Sequence, residues 1–144
     1  MDPLRLVGTA LGGKYDVERL VAETEFSLVY RATHRVWRRP VALKAFKAFG
    51  LSEVARQQLL ESFVAEGALL MDLSERCAAI CQARDVASVI TSSGDWIPYM
   101  VLEWLEGEPL DMMLMRERSA GVHPRSSSAA RRLLDPIAQA LALA

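Results

Sequence analysis

The sequence predicts an α+β fold: a five-stranded antiparallel sheet with one long helix packed on it, followed by further helices. Two observations predict it. Apolar residues follow a strand pattern three times, then a helical pattern, then a strand pattern twice more, and mostly short connections favour antiparallel neighbours. Of the 144 residues, 51% are hydrophobic and 24% charged, a balance that suits a globular chain with a sizeable core rather than a disordered one.

Residues 1–13 end in Leu11-Gly12-Gly13 and read as an N-terminal tail. From Tyr15 the pattern becomes strand-like: Val17, Leu20 and Val21 lead to the polar tip Glu23-Thr24-Glu25, and Phe26, Leu28, Val29 and Tyr30 resume an apolar, β-favouring run, so the two form a hairpin. A third strand is predicted over residues 40–46, where Pro40 suits the first position. A long helix is predicted over residues 52–73, with Ser52 as N-cap and Glu53 in the first turn. Leu59, Leu60, Phe63, Val64, Leu70 and Leu73 give that helix its apolar face. Strands over residues 80–90 and 97–105 follow, with Ser93-Gly94-Asp95 as the turn between them.

Gly107-Glu108-Pro109 then breaks the chain, giving a predicted division into residues 1–13, 14–106 and 107–144. A short helix over residues 110–116 and a loop over residues 121–126 precede a last helix that starts near Ser127 or Ser128. Pro136 should kink or split it. Leu133, Leu134, Ile137, Leu141 and Leu143 make its face apolar. Either that face packs back on the rest, or the chain is a fragment of something longer.

Composition also narrows the function. A formal net charge of -1 gives no reason to expect general electrostatic attraction to nucleic acid or anionic lipid. Cys77, Cys81, His34 and His123 are too few and too poorly spaced for a zinc site, so no metal site is expected. Two reduced thiols suit a cytoplasmic protein. No stretch reaches the roughly 18 apolar residues of a membrane span, and residues 1–10 do not read as a signal peptide.

The stretch Tyr15-Asp-Val-Glu-Arg-Leu-Val-Ala-Glu-Thr-Glu-Phe-Ser-Leu-Val-Tyr30-Arg-Ala32, followed by Val41-Ala-Leu-Lys44, resembles the opening of a bacterial serine/threonine protein kinase domain. Phe63-Val-Ala-Glu66 and Tyr99-Met-Val-Leu-Glu-Trp-Leu-Glu-Gly107 extend the resemblance, which covers about 130 residues. It implies the small ATP-binding lobe with its hinge, and then the beginning of the helical large lobe. Lys44 would contact the α- and β-phosphates, and Glu66 would hold Lys44, with Glu61 a weaker rival. Val21, Val29 and Ala42 would roof the adenine ring. Leu102 would be the gatekeeper, and Glu103 and Leu105 would offer a backbone carbonyl and amide to adenine. The implied cofactor is ATP, with magnesium only in a complete domain. Taken singly, each residue reads blandly: a lysine ending a strand is usually a surface charge.

The sequence departs from the family at the phosphate-binding loop, where Ala22, Thr24 and Ser27 stand at the positions of three glycines. A Cβ obstructs close approach of backbone amides to phosphate, and Glu23 and Glu25 add negative charge beside an anionic ligand. The catalytic His-Arg-Asp loop and the Asp-Phe-Gly segment are expected beyond residue 144, and neither Asp111 nor Asp135 stands in for them. Two functions are therefore expected. One is the ATP-binding portion of a protein kinase, inactive as these residues alone. The other is a pseudokinase-like binding or scaffold module. A small-molecule phosphotransferase is a weaker third.

Overall fold

The structure, a computed structural model, describes residues 2–143. It divides into two compact units, Met1–Trp104 and Leu105–Ala144.

The first unit is a sheet with a helix on one face. Its strands are β1 (Ala10–Leu11), β2 (Tyr15–Glu23), β3 (Ser27–His34), β4 (Arg39–Phe46), β5 (Ala83–Ile90) and β6 (Trp96–Glu103), and its helix is α1 (Glu53–Arg76). The strand order is β1-β2-β3-β4-β6-β5, antiparallel throughout. This corrects the expected kinase-like arrangement of a five-stranded sheet with a single long helix. The sheet has six strands and curls until it resembles a nearly closed barrel, and the chain has three helices among the described residues.

The physical reason lies in the first eleven residues. Gly12 and Gly13 take φ values of +55° and +70°, a left-handed turn that glycine adopts without strain, and it folds β1 back onto β2. A Cβ on Gly12 would also lie 2.8 Å from the Tyr99 hydroxyl. Leu4, Leu6 and Leu11 are buried in the same core as Leu28, Tyr30, Leu43 and Val101, so the segment read as a tail is part of the fold. Asp2 fastens its start, accepting hydrogen bonds from the Tyr30 hydroxyl and the Val7 amide. The curled sheet is tied across by the Tyr15 hydroxyl on β2, which donates to Asp85 on the edge strand β5 at 3.3 Å, and by Lys14 in the turn before β2, which pairs with the same carboxylate at 3.6 Å.

Alternation along each strand sorts the two faces. On β4, Val41, Leu43 and Ala45 are buried in the barrel core, while Ala42, Lys44 and Phe46 face the other way. Removing a side chain such as Leu28, Tyr30 or Leu43 wholly from water stabilises the fold by about 1.5–3 kcal/mol each. The second face carries a smaller cluster of Phe63, Ala83 and Met100, joined by Phe46, Leu59, Leu70, Val86 and Leu102, and α1 packs there. The Ser52 hydroxyl caps α1 by accepting from the Ala55 amide. Gly67 lets α1 lie close, since a Cβ there would sit 2.9 Å from Val86 Cγ2.

The second unit holds α2 (Leu110–Ser119) and α3 (Ser127–Leu143). The helix α3 runs continuously through Pro136, so the proline does not split it. Leu133, Leu134, Ile137 and Leu141 are exposed on it.

Candidate functional site

The predicted site residues fall mainly on the sheet face opposite the barrel core. Directly paired residues on antiparallel strands point to the same side. Val29 pairs with Lys44, and Ala42 pairs with Leu102, while Ala42 and Lys44 are two apart on β4. These four side chains therefore share one face. Ala22 joins them, since it pairs with Val29, whereas Val21 lies in the bulge between Leu20 and Ala22 and is exposed.

Glu66 reaches this face from α1. Lys44 Nζ donates to Glu66 Oε1 at 3.2 Å, and the same ammonium lies 5.0 Å from the centre of the Phe46 ring. Phe46 is itself fixed by an edge-on contact with Phe63, ring centres 3.9 Å apart. Glu61 instead accepts from the Gln57 side chain and does not compete for Lys44. The Lys44–Glu66 pair is partly open to water, so it contributes only about 0–1 kcal/mol to stability. Its importance is the position it gives to a cation beside an apolar surface.

The loop between β2 and β3 is closed on itself. The Thr24 amide donates to the Ser27 carbonyl at 2.8 Å, and the Ser27 amide donates to Thr24 Oγ1 at 3.0 Å. Thr24 thus supplies from its own side chain an acceptor for an amide that an anion would otherwise need. Lys47, which the sequence reading did not single out, ties the loop down: its ammonium pairs with Glu23 at 2.7 Å and donates to the Thr24 carbonyl at 2.9 Å. The charge of Glu23 is therefore balanced locally, while Glu25 makes no ion pair among the described residues.

At the other end of the face, Glu103 is well connected. Its amide donates to the Gln82 carbonyl, its carboxylate accepts from the Gln82 amide, both at 3.0 Å, and its carbonyl takes a weak contact from the Cys81 thiol at 3.9 Å. Burial pushes the Cys81 thiol pKa up. Trp104 lies against the guanidinium groups of Arg19 and Arg31, at 5.8 and 5.5 Å from its ring centre. Arg31 pairs in register with Ala42 and is held by Glu18, so a guanidinium borders the apolar patch. Nothing in the local sequence pattern points to this cluster, because its members are brought together only by the sheet. Leu105 falls in the second unit and is exposed.

What the arrangement offers is an apolar strip of Val29, Ala42 and Leu102 with a primary ammonium at one end. Those features fit a flat heteroaromatic group carrying a polyanion. Among the described residues, no group of three His, Cys, Asp or Glu side chains gathers to hold a metal ion, and no helix is long and apolar enough to cross a membrane. No family model matches this chain, and no curated protein matches it.

Proposed function

We propose that the first unit binds ATP on the face that carries Lys44, as the nucleotide-holding portion of a serine/threonine protein kinase. The observation that carries this reading is the Lys44–Glu66 pair at 3.2 Å, formed on the same face as Val29, Ala42 and Leu102. In this role Lys44 neutralises charge on the α- and β-phosphates, Glu66 keeps its ammonium in place, and the apolar strip covers the adenine ring. No residue of the sequence is assigned as catalytic base or magnesium ligand, so phosphoryl transfer to protein Ser/Thr would require groups outside this set.

One observation favours a second reading, a pseudokinase-like binding module without catalysis. The Thr24–Ser27 turn uses its own hydroxyl to satisfy the Ser27 amide, which lowers the loop's capacity to grip phosphates.

Calorimetry of ATP and adenosine on the intact chain separates these. The expected result is that ATP binds more tightly than adenosine, and that Lys44→Met weakens ATP by about tenfold, or 1.4 kcal/mol, while leaving adenosine unchanged. Thr24→Gly should then tighten ATP alone. Equal affinities for ATP and adenosine, unmoved by Lys44→Met, would favour the second reading. Binding of neither ligand would refute the ATP-binding reading.

A further inference from the structure

A separate feature lies at the turn between β3 and β4, residues 35–38, where the sequence reads His34-Arg-Val-Trp-Arg-Arg-Pro40. Val36 is 80% exposed and Trp37 66% exposed. Such exposure at adjacent apolar positions is costly in water, and the turn is held in shape despite it. His34 Nδ1 accepts from the amides of both Val36 and Trp37 at 3.2 Å, and the Trp37 indole stacks on the His34 ring at 4.4 Å. The Arg38 amide donates to the His34 carbonyl at 2.8 Å.

Positive charge surrounds this tip. Arg35 pairs with Asp16, but Arg38 and Arg39 form no ion pair among the described residues, and neither does Arg84 on β5. A cavity of about 320 Å³ lies at the foot of the turn. The aromatic rings of Tyr15, His34 and Trp37 line it, as do Lys14 and Arg84. Its one carboxylate, Asp85, is taken up by Lys14 and by the Tyr15 hydroxyl. The whole chain carries a net charge of -1, so this local excess of cations is hidden in the total.

We propose that this turn docks the protein onto an anionic lipid surface. Trp37 and Val36 would enter the interfacial region of the bilayer, and Arg38, Arg39 and Arg84 would meet acidic headgroups. An indole with an apolar body and a polar N–H is suited to that boundary, and each cation near the surface adds attraction. The convex tip favours a lipid surface over a folded acidic partner, because a bilayer interface conforms to a protruding pair of apolar side chains without needing a matching pocket.

The test is co-sedimentation of the intact chain with vesicles of phosphatidylcholine alone and with about 30 mol % phosphatidylserine. The expected result is binding at least about tenfold tighter to the acidic vesicles, weakening as salt is raised. Trp37→Ala and the double change Arg38→Glu with Arg39→Glu should each lose about tenfold of that binding, with thermal unfolding unchanged. Equal binding to both vesicle types, or no binding to either, overturns the proposal. So does wild-type binding by both variants, or retention on immobilised poly-glutamate without vesicle binding, which would assign the turn to an acidic protein partner.

Discussion

Two tyrosines hydrogen-bond to carboxylates far away in sequence. Tyr15 donates to Asp85, and Tyr30 donates to Asp2. Burial first, and then the neighbouring Asp85 charge, raise the Tyr15 phenol from its ordinary value of 10.0 to about 12. Burial and Asp2 raise Tyr30 as well. In the unfolded chain both phenols ionise near the ordinary value. Below that pH both states hold the protons and the stabilisation is complete. Between pH 10 and about 12 the unfolded chain releases protons that the folded chain keeps, so stability falls as pH rises. Urea unfolding across this window should show the midpoint dropping, and Tyr15→Phe should flatten part of the drop. A fall of equal steepness in Tyr15→Phe would show that Tyr15 does not titrate as its surroundings dictate.

At the scale of elements, Gly67 sits in the middle of α1, where alanine would favour helix by about 1 kcal/mol. The approach of α1 to Val86 cancels that gain, since the added Cβ would press on Val86 Cγ2, with Met100 Cε behind it at 3.7 Å. Gly67→Ala should therefore be neutral or destabilising in the native background, yet stabilising by about 1 kcal/mol when combined with Val86→Ala. Equal effects in both backgrounds, measured by denaturant unfolding, would remove the close approach from the explanation. The long helix was legible in the sequence from Ser52 and the spacing of Phe63, Leu70 and Leu73. Its exact face was not: Val64, counted with the apolar stripe, is exposed, and Gly67 takes the buried place. Strands β3 and β4 were legible because core-bound apolar residues alternate along them, Leu28, Tyr30 and Ala32 on β3 and Val41, Leu43 and Ala45 on β4. The two-residue β1 was not, since a pair of residues carries no period, and only its meeting with β2 gives Leu4 and Leu6 a core to enter. The Lys44–Glu66 pairing could be anticipated from a motif. Lys47, Arg19 and Arg31 could not, because their partners come from other strands.

For the whole first unit, the sheet order has a bearing on how the protein reaches its native state. Every pair of neighbouring strands is consecutive in the chain except β4 and β6, which are separated by α1 and β5. The β2–β3, β3–β4 and β5–β6 hairpins can each form locally and early, whereas joining β4 to β6 closes the longest loop and bears the largest ordering entropy. The rate of folding should therefore be governed by this one seam. Leu43→Ala and Val101→Ala, which thin the paired strands at Leu43 and Val101, should slow refolding, while Val17→Ala on β2 should mainly speed unfolding. Stopped-flow chevrons of the three variants decide between this and a nucleus in the first hairpin, for which Val17→Ala would slow refolding most. A chain whose slow step is a single seam spends its folding time as two halves, β1 to β4 and α1 to β6, each with an uncovered sheet edge. That interval, rather than the finished barrel, is where strand-to-strand association between molecules becomes possible.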